Sequence, residues 1–279
     1  YWQLARFDRP IGWLLLLWPT MWGLWAAAGG TPPAALVALF AVGALSARAM
    51  SCCVNDIADR DIDRQVGRTK ERPLARGAVT VYEAALLATV FALGCFGVWL
   101  LLGWPARLLC LFGLFVALSY PLAKRWMQLP QLHLAAANSM GVLVAYAELR
   151  SDVPPAGWLL YGACFAWSFA FDTIYAMVDR EDDRKAGVNS AAVWLGDQEL
   201  KGISLAYILM LTLLVMYGAA AGAAATFYIV AVGGGAVVAR WLLRMIRGRE
   251  PERCFYSFRM NHWLGLVVLA GVAAGHAAW

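Results

Sequence analysis

Asn55-Asp56-Ile57-Ala58-Asp59-Arg60-Asp61-Ile62-Asp63 closes a run of mostly apolar residues that begins at Ala34. Residues 34–54 are long enough to cross a bilayer as one helix, which takes about 20 residues. If the helix continues into the acidic stretch, Asn55, Asp59 and Asp63 fall one turn apart on one face, with Asp56 beside them. Carboxylates crowded in this way repel one another, and a hard divalent cation held by oxygen ligands relieves the repulsion. A second stretch has the same design. Asp172-Thr173-Ile174-Tyr175-Ala176-Met177-Val178-Asp179-Arg180-Glu181-Asp182-Asp183-Arg184 also ends a long apolar run. Moving the first stretch by 124 positions places Asn55 on Asp179, Asp59 on Asp183 and Arg48 on Asp172. One acidic motif after a helix is an ordinary solvated face; two in register point to a shared ion site.

The rest of the chain suits a membrane. Hydrophobic residues make up 62% of it, charged residues only 15%, and the mean hydropathy is +0.61, which excludes an ordinary soluble domain. The apolar runs predict an all-α polytopic membrane protein with about nine transmembrane helices, one domain over residues 1–279. The spans are expected at 11–28, 34–54, 82–102, 105–122, 131–147, 156–177, 203–222, 226–245 and 261–278. Residues 11–28 read as a first span and not as a cleavable signal peptide. The six cysteines show no metal-ligand spacing and are expected to be packing residues. His133 lies inside a span, where a helix-to-helix hydrogen bond is the plainer role.

The net charge of +5 reports topology, and no nucleic-acid partner is expected. Of the 23 Lys and Arg residues, all but Arg48, Arg107 and Arg150 lie before the first span or around the loops after every second one. That bias places the N-terminus and both acidic motifs on the cytoplasmic face.

Acidic clusters on one face can hold Mg²⁺, which is commonly bound by a few carboxylates together with substrate phosphates. Nearby basic residues, Arg64, Arg68, Lys70, Arg72, Lys124, Arg125, Arg184 and Lys185, suit the remaining phosphate charge. With a greasy interior next to them, the matching ligand has a phosphorylated head and a hydrocarbon tail, an isoprenoid diphosphate. Arg48 and Asp172 lie two turns inside the acidic ends of their helices, where ionisable groups are expensive. Either they pair with each other or they orient an acceptor below the metal site. Tyr120, near a span end, reads equally well as an interfacial aromatic.

These motifs resemble those of the UbiA-type intramembrane aromatic prenyltransferases, and of the bacterial 4-hydroxybenzoate enzymes in particular. The NDxxDxxxD motif is Asn55 to Asp63, the DxxxD motif is Asp179 to Asp183, and YxxxK is Tyr120-Pro121-Leu122-Ala123-Lys124. The resemblance extends through Asp8-Arg9-Pro10-Ile11-Gly12, Leu17-Trp18-Pro19-Thr20, Arg72-Pro73-Leu74 and Leu129-Pro130-Gln131, and so covers essentially the whole chain. It implies a helix bundle around a central cavity open sideways to lipid, in a bacterial inner membrane. It implies that Asn55, Asp59, Asp179 and Asp183 bind diphosphate through Mg²⁺ and that Lys124 touches the diphosphate. Asp172 would accept a hydrogen bond from the phenol of 4-hydroxybenzoate, and Arg48 or Arg9 would face its carboxylate. The ring would be alkylated ortho to the hydroxyl, in ubiquinone biosynthesis. One stretch departs from the pattern: Asn138, Met140 and Leu143 stand where Phe, Trp and Pro are usual, and Phe171 replaces a Tyr. The departure leaves open another aromatic acceptor, and a non-catalytic carrier of lipid diphosphates is the alternative of a different class.

Overall fold

The computed structural model describes residues 1–64 and 69–276, with the backbone alone at Ile62, Pro121, Leu122, Lys124, Arg125 and Ala186. Among the described residues there are helices and turns and no strand. In chain order the helices are α1 (Ile11–Ala28), α2 (Ala34–Ala58), α3 (Arg60–Asp63), α4 (Val81–Leu101), α5 (Trp104–Trp126) and α6 (Pro130–Arg150). They continue with α7 (Pro155–Ala186), α8 (Ala191–Leu195), α9 (Glu199–Ala221), α10 (Ala225–Phe227), α11 (Gly235–Met245) and α12 (Pro251–His276). A π-helical segment, Tyr228–Gly234, joins α10 to α11.

Six stretches are long and apolar enough to cross a membrane: Ile11–Ala28, Ala34–Ala58, Val81–Leu101, Pro130–Arg150, Ala191–Ala221 and Ala225–Met245. The hydropathy pattern predicts about nine. The other three candidates are long helices too: α7 and α12 carry polar and charged side chains, and α5 has an apolar stretch over Trp104–Tyr120 among the described residues. Several helices outrun their apolar windows. Helix α7 continues from the apolar run through the whole second acidic stretch, and α12 begins at Pro251, before its apolar part. Hydropathy marks where the solvent is lipid, whereas backbone hydrogen bonding continues into water.

The chain packs as two compact units, Tyr1–Leu17 with Ala34–Leu102, and Trp18–Pro33 with Gly103–Trp279. The division falls inside α1, beside Pro19.

In the first unit α2 packs on α4, where a Cβ at Gly94 would stand 2.9 Å from Ser46 Oγ. Helix α4 starts at a capping box: Thr80 Oγ1 accepts from Glu83 N, and Thr80 N donates to Glu83 Oε2 at 2.8 Å. Beneath the end of α2 lies a small core of Leu4, Cys53, Leu74, Val79, Ala84 and Ala88. Leu4 is fully buried there, contributing roughly 2 kcal/mol to fixing the N-terminal segment.

In the second unit the later half of α1 crosses α6 almost backbone to backbone. A Cβ at Gly23 would stand 2.7 Å from Val142 Cα, and one at Gly141 would overlap Thr20 Oγ1. Small residues permit that approach where no hydrophobic force drives helices together. Helices α7, α9 and α12 meet at a buried amide. Trp167 Nε1–H and Tyr207 O–H both donate to Asn261 Oδ1, at 3.2 and 2.8 Å, and Asn261 Nδ2 donates to Ser257 O. Every polar group of that node is satisfied, so it fixes the rotation of α7, which carries the second motif.

Candidate active site

The helical spacing expected of the first motif survives in the backbone. Helix α2 ends at Ala58 and α3 begins at Arg60, yet Asp59 N donates to Asn55 O at 2.9 Å and Asp63 N to Asp59 O at 2.8 Å. Asn55, Asp59 and Asp63 therefore stand on successive turns. Their side chains do not share one fate. Asp56 is 2% exposed and accepts from Arg6 Nη2 at both oxygens, 2.8 and 2.9 Å, and from Arg72 Nη1 at 3.2 Å. Arg72 Nη1 also reaches Asp63 Oδ2 at 2.7 Å, and Asp63 is buried as well. The predicted ligand set thus shares two of its carboxylates with arginines. Arg72, predicted to meet phosphate, spends its Nη1 on the motif itself. Asn55 and Asp59 are half-buried.

Arg6 belongs to the site and escaped the sequence reading. Its φ is +59°, in the left-handed region, and its Nη1 donates to Gln3 O at 3.0 Å. The turn it closes returns the N-terminal segment to the end of α2. The signal that points to such a partner is the excess of carboxylates in residues 55–63, which some cation has to meet.

Arg48 lies two turns earlier on α2. A Cβ at Gly12 would stand 2.8 Å from its Nη2 and 3.0 Å from its Nε, so the guanidinium lies directly on the Gly12 backbone. Its Nε is buried and has no hydrogen-bond partner among the described residues. Arg9, the other candidate for a carboxylate, is exposed and pairs with its neighbour Asp8 at 3.5 Å.

The second motif lies on one uninterrupted helix. Asp172, Asp179 and Asp183 all belong to α7, with Asp172 buried and the other two half-buried. Phe171, the residue before Asp172, packs edge-on against Trp167 at 5.2 Å between ring centroids, and Trp167 stacks on Trp22 at 5.1 Å. Tyr175 meets Phe258 of α12 at 4.7 Å. Aromatic faces therefore surround the turn that carries Asp172. Lys185 is exposed at the helix end.

Tyr120 stacks on His133 at 6.3 Å between ring centroids. His133 Nε2 donates to Val116 O at 2.7 Å and also lies 3.0 Å from Ser119 Oγ, the helix-to-helix bond expected of it. Asn138, the departure from the family pattern, donates to the buried Ser168 Oγ at 2.9 Å, joining α6 to α7 one turn before Asp172. Met140 and Leu143 are buried in packing, Met140 against Gly113 of α5. Arg68 lies outside the described residues, as do the side chains of Lys124 and Arg125. The cysteines among the described residues are all free thiols.

Among the described residues, no three His, Cys, Asp or Glu side chains stand together as a ready-made metal cage. What the motifs offer is hard oxygen donors in pairs one turn apart. That donor chemistry fits Mg²⁺, which keeps waters and takes one or two carboxylates plus substrate phosphates, and it does not fit a soft metal.

The sequence model of the UbiA prenyltransferase family matches residues 16–265. A 4-hydroxybenzoate octaprenyltransferase of Polaromonas sp. (strain JS666 / ATCC BAA-500) is 42% identical over 278 residues, spanning 100% of this chain and 97% of that protein. The protein of the same name from Nitrosomonas europaea is 43% identical, spanning 98% and 93%. Among solved structures, the apo UbiA homolog from Aeropyrum pernix K1 superposes with a TM-score of 0.81 at 29% identity, over 93% of this chain and 96% of that one. The UbiA homolog from Archaeoglobus fulgidus bound to GPP and Mg²⁺ shares the fold, with a TM-score of 0.74 at 20% identity over 98% and 99%.

Proposed function

Because the chain belongs to the UbiA prenyltransferase family, we propose that it transfers a polyprenyl group from a prenyl diphosphate to 4-hydroxybenzoate, ortho to the hydroxyl, in ubiquinone biosynthesis. The observation that carries the acceptor reading is Arg48. A half-buried arginine whose Nε is buried and unsatisfied, two turns inside an acidic motif, is costly unless an anionic ligand meets it. The benzoate carboxylate is such a ligand, and the planar fork of arginine suits it.

In this reading Asn55, Asp59, Asp179 and Asp183 hold Mg²⁺ and, through it, the diphosphate, while Lys124 and the basic loops meet the remaining phosphate charge. Asp56 and Asp63 have a different part: with Arg6 and Arg72 they hold the first motif in shape. When bound, Mg²⁺ supplies positive charge to the diphosphate as it leaves with the electron pair of the allylic C–O bond. Asp172 accepts the phenol O–H, which orients the ring and raises electron density at the ortho carbon. That carbon forms the new C–C bond and then loses its proton, restoring aromaticity. The aromatic wall of Trp167, Phe171 and Phe258 excludes water from the allylic cation. The protein acts as one prenyltransferase in the bacterial inner membrane, with its N-terminus and both motifs cytoplasmic.

The test uses membranes containing the full chain, given a prenyl diphosphate and a panel of phenols, naphthoates and quinolone-like rings. Mass spectrometry should find prenylated 4-hydroxybenzoate and an equal amount of released diphosphate. A product on another ring only would overturn the acceptor. Uptake of prenyl diphosphate without any diphosphate release would leave a carrier.

A further inference from the structure

Three tryptophans converge on Gly265 of α12. A Cβ there would stand 2.7 Å from Trp18 Cδ1 and 2.7 Å from Trp167 Cη2, and Trp22 Nε1 donates to Gly265 O at 2.8 Å. The three N–H groups have different fates. Trp22 spends its donor on the Gly265 backbone and Trp167 on Asn261 Oδ1. Trp18 is half-buried as a residue, yet its Nε1 is buried and has no hydrogen-bond partner among the described residues. His262, one turn before Gly265 on the same side of α12, likewise keeps a buried Nδ1 without a partner.

An indole nitrogen donates and cannot accept, and buried tryptophans ordinarily find an acceptor for it. Within a membrane span an unmet donor is costly. A phenylalanine at 18 would cover the Gly265 backbone without that cost. Two such nitrogens within one turn of α12 therefore mark a place for a polar atom that the chain itself does not supply. Depth decides whose atom it is. Trp167, which meets Gly265, lies twelve residues before Asp179 on α7, about 18 Å along the helix, too far for a diphosphate held by the second motif. A prenyl tail carries no oxygen. The aromatic acceptor does: Trp167 is only five residues, about 7–8 Å of helix, from Asp172, where the proposed reaction holds the phenol. The carboxylate of 4-hydroxybenzoate stands at the opposite end of the ring.

We propose that Trp18 is a specificity-determining residue whose indole N–H donates to the carboxylate of 4-hydroxybenzoate. The proposal rests on the reading of 4-hydroxybenzoate as the acceptor. A carboxylate has lone pairs for several donors, so Arg48 keeps its part. Arginine supplies charge, whereas the indole, packed on Gly265, supplies direction. A ring without an oxygen at that end leaves the donor unpaired, and the site rejects it.

The experiment measures kcat and KM of the purified full chain in detergent for 4-hydroxybenzoate, for prenyl diphosphate and for 4-methylphenol, which keeps the hydroxyl and lacks the carboxylate. Where 4-methylphenol is not prenylated, its Ki is measured instead. Trp18→Phe should raise the KM for 4-hydroxybenzoate tenfold or more, with kcat within threefold and the prenyl diphosphate KM within twofold of wild type. The constant for 4-methylphenol should stay within threefold, because lost ring volume affects both acceptors and the lost N–H only one. Trp22→Phe loses the same volume and a donor spent on the backbone. It should unfold at a lower temperature than Trp18→Phe and keep the 4-hydroxybenzoate KM within threefold of wild type. If Trp18→Phe does not fold, replacement of Trp18 by 3-benzothienylalanine, which puts sulfur in place of the N–H, carries the same prediction. An equal rise for the two acceptors, or an equal rise in Trp22→Phe, would overturn the proposal. If the wild type neither binds nor prenylates 4-hydroxybenzoate, the acceptor reading has failed and the proposal with it; if it prenylates the ring and Trp18→Phe does so with the same KM, only the role of Trp18 has.

Discussion

Arg6 donates through a single nitrogen, Nη2, to both oxygens of Asp56, at 2.8 and 2.9 Å, across fifty residues of sequence. The second residue of the first acidic motif is therefore an anchor for the N-terminal segment. Arg6→Ala should destabilise the protein by about 2–3 kcal/mol, the typical worth of a hydrogen bond to a charged group plus the cost of the carboxylate left behind. Because Arg6 has a positive φ, Arg6→Gly should be less harmful than Arg6→Ala by up to about 1 kcal/mol, although both lose the guanidinium. Thermal unfolding in detergent reads both. Equal losses in the two variants would mean that the turn conformation carries no strain.

Gly12 offers a way to move Arg48 without removing it. An added Cβ at 2.8 Å from Nη2 has to displace the guanidinium, which a flexible side chain can do at modest cost. Gly12→Ala should raise the KM for 4-hydroxybenzoate several-fold and leave the KM for prenyl diphosphate within twofold. Arg48→Lys, which keeps the charge but loses the fork, should show the same split. Steady-state kinetics with each substrate varied in turn decides it; a shift in the prenyl diphosphate KM alone would put Arg48 with the other substrate.

Metal dependence should be complete. Chelation should abolish turnover and added Mg²⁺ restore it. Asp59→Ala and Asp183→Ala should each lose activity by at least a thousandfold while remaining folded. Residues that act through one unit are far from additive, so the double variant should lose little more than either single. Full activity in either single variant would remove that residue from the ligand set.

Asn138 tests what the departure from the family pattern does. Asn138→Ala leaves the buried Ser168 hydroxyl only its weak contact with Cys164 Sγ at 3.9 Å and should cost about 1–2 kcal/mol of stability. Mg²⁺ affinity should not change, since the contact lies between α6 and α7 within the spans. Product analysis of the same variant over the acceptor panel shows whether this step in the helix wall also selects the ring. A changed metal requirement would contradict its placement in packing.

Topology is read by labelling. Cysteines introduced at Arg72, Lys185 and Gly248 should react with an impermeant thiol reagent from the cytoplasmic side, and one at Asp152 only from the opposite side. Labelling of Arg72 and Lys185 from different sides would refute the orientation drawn from the basic residues.

Periodicity carried the sequence reading as far as it could go. The helical phase of Asn55, Asp59 and Asp63 was legible because i, i+4 spacing is a local property, and the chain keeps it even across the break after Ala58. His133 was legible for a similar reason: a lone polar group within a span has to find a partner on a neighbouring helix. The partners of Asp56 and Glu199 were not. Arg6 reaches Asp56 only because a left-handed turn at its own backbone folds the N-terminus back, and Arg249 reaches Glu199 through another. Nothing in a hydropathy window records which distant arginine a carboxylate will meet. The spacing therefore placed Asn55, Asp59 and Asp63 on successive turns but could not tell which carboxylates of the motif the arginines would hold.

Arg249, whose Nε donates to the buried Glu199 at 2.6 Å, also sets a schedule. Both arginines that hold Asp56 have been synthesised by residue 72, whereas Glu199 waits fifty residues for Arg249. During synthesis, at about 5–20 residues per second, the first acidic motif can mature while Glu199, which accepts from Arg180 Nη1 and Arg249 Nε, has only the first of the two. For several seconds α9 carries a carboxylate whose burial is incompletely compensated. A nascent chain arrested before residue 249 would therefore hold both arginines that meet Asp56 but only one of the two that meet Glu199.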